Sequence, residues 1–360
     1  MINVTKSFLP PISEYQKYVE EIWERGYLTN HGPLVLELEE KIRNYLGVKH
    51  FYFLSNGTIA LQIAIKALDL KGEIITTPFS YVATTSSIVW ENAVPVFVDI
   101  NPNTLTIDPD KAEEAITQNT TAILATHVYG IPCDVIAIEQ LAKRYNLKVI
   151  YDAAHAFGVE FNNQSVLNYG DISTLSFHAT KLFHTVEGGG IATNDDALAH
   201  RVSYMRNFGH NGQEDFFGLG INGKNSELHA AMGLCNFPWI EKIINDRLTT
   251  TNLYEGIFSK LNITLRRPQI PPNTKFNYAY YPVLFKDEKQ LLRIRDALNQ
   301  SDIFPRRYFY PTLNKLPYVN DGNNLMNAQT TASVVLCLPL YSGLEPSSVE
   351  HICLIIKENL

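Results

Sequence analysis

An α/β fold is predicted: a doubly wound domain on a mostly parallel sheet, followed by a smaller α+β domain. Three observations predict it. Short apolar, β-branched runs alternate with amphipathic stretches through the first two thirds of the 360 residues. The runs are continuously apolar rather than alternating, as in strands buried on both faces of a parallel sheet. Near Asn236 the rhythm changes to strands and helices separated by Pro-rich loops.

The runs, taken in order, are 51–55, 73–78, 94–100, 121–129, 148–154, 172–178 and 190–194, which predicts a seven-stranded sheet. Helices are expected between them at 58–70, 83–91, 112–116 and 135–145, the spacing of βαβ units. Beyond this region, 239–261 reads as one long amphipathic helix. Segments 277–285 and 306–311 read as strands, and 289–298 and 347–357 as helices. The expected division is a large domain over 1–235 and a small one over 236–360. Pro10-Pro11 sets off the segment 1–27, which is expected to pack on the small domain or on a partner chain.

Bulk properties narrow the function. The hydrophobic fraction is 45%, the charged fraction 19% and the net charge −7, with no basic stripe, so nucleic acid is a poor partner. Cys133, Cys235, Cys337 and Cys353 are far apart and form no CxxC pair. That argues against a disulfide framework or a zinc site and for a reducing compartment. No run of about 18 apolar residues is present, and the start lacks a secretory pattern. A cytoplasmic protein without membrane contact is expected.

Three segments carry chemistry. In Ser55-Asn56-Gly57-Thr58 a strand gives way to a helix, whose first turn has unpaired N–H groups and the positive end of the dipole. Such an end binds phosphate: Gly57 permits close approach and Thr58 adds a hydroxyl. Read alone, it is more often an ordinary strand–turn–helix with a Thr cap. Asp152, in Tyr151-Asp152-Ala153-Ala154-His155, ends a very apolar strand, where open α/β sheets bind ligands. A carboxylate there needs a cation or strong donors, which a protonated pyridine nitrogen supplies. His155, three residues on, is in reach of a phenolic oxygen on the same ring; alternatively the pair is a helix cap and a satisfied histidine. Lys181, in Ser176-Phe177-His178-Ala179-Thr180-Lys181, follows a strand in a segment with little other charge. Desolvation lowers a lysine pKa and makes the amine a competent nucleophile for a Schiff base; otherwise it is a surface lysine after a turn. Ser176 is a further phosphate donor.

Together the segments offer a phosphate cup, a strand-end carboxylate and a lysine 29 residues after it. A cofactor with a phosphate, a pyridine nitrogen and an aldehyde needs those three partners. Tyr81, after another strand end, is placed to stack on the ring or to serve as a rim aromatic.

As an ordered set these motifs resemble the sugar aminotransferase family of fold-type I pyridoxal-phosphate enzymes, the DegT/StrS group. Matching segments include Gly26-Tyr27-Leu28-Thr29, Ser55–Thr58, Pro78–Thr84, Pro95–Ile100, His127-Val128-Tyr129-Gly130, Asp152–His155, Ser176–Lys181 and Glu187-Gly188-Gly189. The resemblance implies pyridoxal 5′-phosphate as cofactor. Lys181 would be joined to its aldehyde and would later move protons. Asp152 would hold the ring nitrogen and His155 would meet the ring hydroxyl. Gly57, Thr58 and Ser176 would bind phosphate, and Tyr81 would stack. It further implies a homodimer in which the neighbouring subunit's loop reaches the phosphate. That loop is here Gly220-Ile221-Asn222-Gly223-Lys224-Asn225, with Lys224 where the family has Arg or Asn. The implied reaction moves an amino group from glutamate, leaving 2-oxoglutarate, to a nucleotide-linked keto-sugar. Similarity through Pro305–Pro311 points to dTDP-linked keto-6-deoxy-sugars, aminated at C4 in preference to C3.

Other readings remain. Dehydratases of the group lack the lysine, and Lys181 favours transamination; a non-catalytic sensor with the same fold is the rival from another class. Gly218-Leu219-Gly220-Ile221-Asn222-Gly223 matches GxGxxG but follows no apolar strand, so no dinucleotide site is expected. His127, His178 and His184 lack metal-ligand spacing, and no metal is expected. Phe309, Tyr310 and Phe183 are candidates for either the sugar pocket or the core.

Overall fold

The computed structural model describes residues 1–319 and 322–360. Seven strands form the central sheet: β1 (His50–Leu54), β2 (Glu73–Thr76), β3 (Val94–Phe97), β4 (Thr120–Thr126), β5 (Lys148–Asp152), β6 (Ile172–Ser176) and β7 (Gly189–Thr193). Their order across the sheet is β1-β7-β6-β5-β4-β2-β3. Each overlaps an apolar run of the sequence. The β6-β5-β4-β2-β3 pairings are parallel, whereas β7 runs antiparallel to both β6 and β1.

Neighbouring residues show why the runs do not alternate with polar residues. Ile74, Leu124 and Ile150 enter one core, and Ile75, Ile123 and Val149 enter another on the opposite face. Both faces are covered, so both positions of the two-residue repeat must be apolar.

The helices supply those covers: α1 (Ile12–Arg25), α2 (Pro33–Leu46), α3 (Gly57–Ala67), α4 (Val82–Trp90), α5 (Val135–Tyr145), α6 (Asp196–Met205) and α7 (Glu227–Asn236). Proline at the first position of α2 suits a helix start, and Gly47 ends it at φ 59°, a left-handed conformation that favours glycine. The helix expected at 112–116 forms instead at Pro109–Glu114, because the Asp108 side chain accepts from the N–H groups of Asp110 and Lys111 and Pro109 follows it.

The long helix α8 (Ile240–Lys260) leads into a second unit of β8 (Tyr281–Leu284), α9 (Glu288–Gln300), α10 (Met326–Val334), β9 (Val335–Leu338) and α11 (Pro346–Glu358). Its core joins Tyr254, Tyr281, Val283, Ile294, Leu336 and Ile352. Two expectations are corrected here. Of 277–285, only Tyr281–Leu284 is strand, paired antiparallel with β9. Segment 306–311 is no strand: it makes one bridge, Arg306 to Cys337, between Pro305 and Pro311, which have no N–H to donate to a ladder. The N-terminus divides its contacts. Ile2–Asn3 pairs in parallel with Ile303–Phe304, while α1 lies against α7 and buries Ile22 among the large core's residues.

Candidate active site

The carboxyl ends of the parallel strands and the second unit enclose a cavity of about 420 Å³. Asp152 is the last residue of β5 and Ser176 the last of β6, while Asn56, Gly57 and Thr58 follow β1. Parallel sheets place ligands at this edge. Tyr280, Arg306, Tyr308 and Phe309 of the second unit also line the cavity, so the site is closed by both parts of the chain.

At one end lies the start of α3. Asn56, not Thr58, is its cap: the Asn56 side chain accepts from the Ile59 N–H at 2.8 Å. The N–H groups of Gly57 and Thr58 precede any intrahelical acceptor and stay available to an anion. Gly57 sits tight against β6, since a Cβ on it would fall 3.0 Å from that of Ser176.

Asp152 is 5% exposed. Its Oδ2 accepts from Thr84 Oγ1 at 2.7 Å and its Oδ1 from the Ala154 N–H at 3.1 Å. Burial raises its pKa, and Thr84, Ala154 and Lys181 oppose that shift. Lys181 stands in the turn after β6, where its N–H donates to the His178 carbonyl. Desolvation pulls its amine down to about 8, against the pull of Asp152 and Tyr81. The loop is braced from the N-terminus, where Ser7 Oγ donates to the Ala179 carbonyl at 2.7 Å.

His155 is buried and uncharged, its pKa held well below the ordinary value by burial and by Lys181. Its Nδ1 accepts from the Tyr129 N–H at 3.2 Å, which leaves the proton of the neutral ring on Nε2. Phe309 stacks on this imidazole at 5.7 Å. Tyr81, 58% exposed, caps α4 on the cavity wall.

Seven of the eight residues singled out in the sequence line this one cavity: Gly57, Thr58, Tyr81, Asp152, His155, Ser176 and Lys181. Lys224 does not. Its Nζ donates to Asn222 Oδ1 at 2.9 Å and lies 4.6 Å from the Phe208 ring centroid. Of the aromatic candidates, Phe309 lines the cavity, Phe183 is core packed 4.7 Å from Phe157, and Tyr310 lies outside under Arg307. His127 and His184 are buried among protein partners, and no cluster able to hold a metal occurs among the described residues. The GxGxxG stretch folds back on the end of α6, where Ile221 N donates to the Met205 carbonyl; it does not join a strand to a helix.

Sequence reasoning missed Arg306, Tyr280, Thr84 and Ser80. The first two stand in a segment misread as strand or at its frayed end. Arg306 makes no side-chain hydrogen bond or ion pair among the described residues, so its guanidinium is free on the cavity wall.

The donor set suits a phosphorylated pyridine aldehyde. The helix start and Ser176 match the phosphate, and the desolvated carboxylate matches a protonated ring nitrogen. The Nε2–H of His155 matches a ring oxygen, and the partly buried amine with lowered proton affinity matches an aldehyde.

Fold and site thus define an α/β enzyme built around an activated lysine. The chain belongs to the DegT/DnrJ/EryC1/StrS aminotransferase family, whose model matches residues 12–357. It is an aminotransferase, and enzymes of this family use pyridoxal phosphate. It is 44% identical over 363 residues, 99% of this chain and 98% of the relative, to a dTDP-4-amino-4,6-dideoxy-D-glucose transaminase of Shigella dysenteriae. The structure of DesI in the presence of its TDP-sugar product superposes with TM-score 0.93 at 28% identity, covering 99% of this chain and 92% of DesI. The structure of ntda from Bacillus subtilis with bound cofactor PMP gives TM-score 0.88 at 30% identity, with 96% and 82% covered.

Proposed function

We propose that this chain transfers the amino group of glutamate to C4 of a dTDP-linked 4-keto-6-deoxyglucose. Pyridoxal 5′-phosphate is held by Gly57, Thr58, Ser176, Asp152, His155 and Tyr81 and joined to Lys181. The observation that carries the reading is the convergence of Lys181 and Asp152 on one cavity, in a chain 44% identical end to end to a transaminase making the C4-amino product.

When bound, pyridoxal phosphate supplies an electron sink for the charge left at a deprotonated amino carbon. The protein does the rest. Asp152 stays ionised to hold the ring nitrogen protonated. Lys181 Nζ removes the proton from the amino-bearing carbon of glutamate and later delivers one to C4 of the sugar. An amine with a pKa of about 8 suits both directions, being neither fully charged nor weakly basic near neutral pH. Arg306 meets negative charge on the substrates. Tyr280, Tyr308 and Phe309 close the cavity against water, and Lys224 reaches the phosphate of a second subunit in a homodimer. The chain divides functionally at 235/236, with the second part forming the lid.

Mass analysis of products from dTDP-, UDP- and GDP-linked keto-sugars with glutamate, with NMR to locate the aminated carbon, tests this directly. Amination of the dTDP-4-keto-6-deoxyglucose at C4 is expected. A C3-amino product, or preference for another nucleotide, would overturn the substrate assignment.

A further inference from the structure

Behind Asp152 lies a row of hydroxyls that the catalytic reading leaves unused. Thr84 Oγ1 donates to Asp152 Oδ2 at 2.7 Å, Ser80 Oγ lies 2.9 Å from Thr84 Oγ1, and Thr126 Oγ1 lies 3.0 Å from Ser80 Oγ. All three residues are at most 1% exposed, with Ser80 and Thr126 on the inner wall of the cavity. They come from three places: the loop after β2, the first turns of α4, and the last residue of β4.

Each hydroxyl carries a single proton, and that fixes the direction of the row. Thr84 spends its proton on Asp152, so Ser80 must donate to Thr84. Ser80 has then spent its own, so Thr126 must donate to Ser80. Every proton has an acceptor, and Thr126 stands at the end as a donor. Protonation of Oδ2 would force the row to run the other way. Thr126 would then accept from Ser80, and its proton would have no acceptor among the described hydrogen bonds. A buried unpaired hydroxyl is costly. The row therefore disfavours a proton on Oδ2, and its last bond, charge-assisted when it ends on a carboxylate, favours the anion over a carboxyl protonated on Oδ1. Donors aligned head to tail also polarise one another, which strengthens the last bond.

We propose that Thr126, Ser80 and Thr84 form a one-way donor relay that keeps Asp152 ionised, making all three positioning residues for the reaction. The need is physical. The carboxyl is buried and its proton affinity is raised by that burial, with Thr84 the largest opposing influence. A neutral Asp152 would no longer hold a protonated ring nitrogen, so the relay's value to turnover rests on the cofactor reading above.

The test has two arms, and the first does not depend on the cofactor. In the cofactor-free protein, the Asp152 carboxyl is followed by infrared titration, identified as the band lost in Asp152→Asn. Thr84→Val should move its midpoint to higher pH, Ser80→Ala and Thr126→Val should move it less, and Thr84→Ser should restore it. In the second arm, pyridoxal-phosphate affinity is measured across pH by dialysis. Thr84→Val should weaken it by about tenfold or more, the loss of one charge-assisted hydrogen bond. The acid limb should move upward, since Asp152 then protonates at higher pH. Wild-type titration and affinity in a folded Thr84→Val protein would overturn the relay. Failure of the unaltered chain to bind pyridoxal phosphate would overturn the cofactor reading instead and leave the first arm to judge the relay.

Discussion

Lys181 and Asp152 shift each other's charge in opposite senses across one cavity: the carboxylate raises the proton affinity of the amine, and the ammonium lowers that of the carboxyl. Burial works against both. For the lysine burial wins, leaving it at about 8 rather than 10.5. The neutral amine therefore gains population as pH rises through about 8. Uptake of pyridoxal phosphate into its visible absorbance band should accelerate over that range in the cofactor-free protein. A midpoint near 10.5 would show the amine to be solvated and unactivated. Lys181→Ala should lose the band and essentially all turnover.

Removing the carboxylate tests the coupling from the other side. Asp152→Asn takes away the influence that holds a proton on Lys181, so the lysine midpoint should fall below about 8. The same change removes the anion proposed to hold the ring nitrogen, and turnover should drop on the order of 10²–10³-fold. Stopped-flow measurement of cofactor uptake gives the midpoint and steady-state assay the rate. An unmoved midpoint would mean the two side chains do not interact.

These two residues were legible in the sequence because Asp152 ends a very apolar run and Lys181 follows a strand in a segment with little other charge. The hydroxyls behind Asp152 were not: Thr84, Ser80 and Thr126 look like any short polar residue near a strand end, and only the fold brings a loop, a helix start and a strand end together. Strand direction was equally hidden. Gly189–Thr193 reads like its neighbours, yet runs antiparallel, since apolarity reports burial and not polarity of the chain. The segment 306–311 was misread because aromatic, β-prone residues outweighed the prolines at its ends. The short run Val335–Leu338, the true partner of Tyr281–Leu284, went unread between two helices.

Gly189 opens β7 directly against the turn that starts α3. A Cβ there would fall 2.4 Å from the Asn56 carbonyl carbon and 2.6 Å from the Gly57 nitrogen, both backbone atoms. Gly189→Ala must push that turn away from β7. It should cost about 1–3 kcal/mol by denaturant unfolding and should also weaken phosphate-dependent cofactor binding. A variant with unchanged stability would mean that the turn yields freely.

Arg306 lines the cavity, and its guanidinium has no hydrogen-bond or ion-pair partner among the described residues, while glutamate and a nucleotide diphosphate are both anionic. Arg306→Met should raise the KM of the substrate it meets by roughly ten- to a hundredfold, the range for one charge-assisted contact. Its kcat should change less. Saturation curves for each substrate identify which one it serves. Unchanged values for both would remove Arg306 from recognition.

Lys224 is the one candidate cofactor-binding residue that its own chain keeps away from the cavity, resting against Asn222 and Phe208. If it serves the neighbouring subunit, two crippled chains can repair each other. A Lys181→Ala subunit still carries Lys224, and a Lys224→Ala subunit still carries Lys181. Paired, they assemble one whole site, made of Lys181 from the second chain and Lys224 from the first. Co-expressed with different tags and purified through both, the mixed protein should bind one pyridoxal phosphate per pair with near wild-type affinity. A chain-internal role for Lys224 would leave no site whole, and the mixed protein would bind as weakly as Lys224→Ala alone.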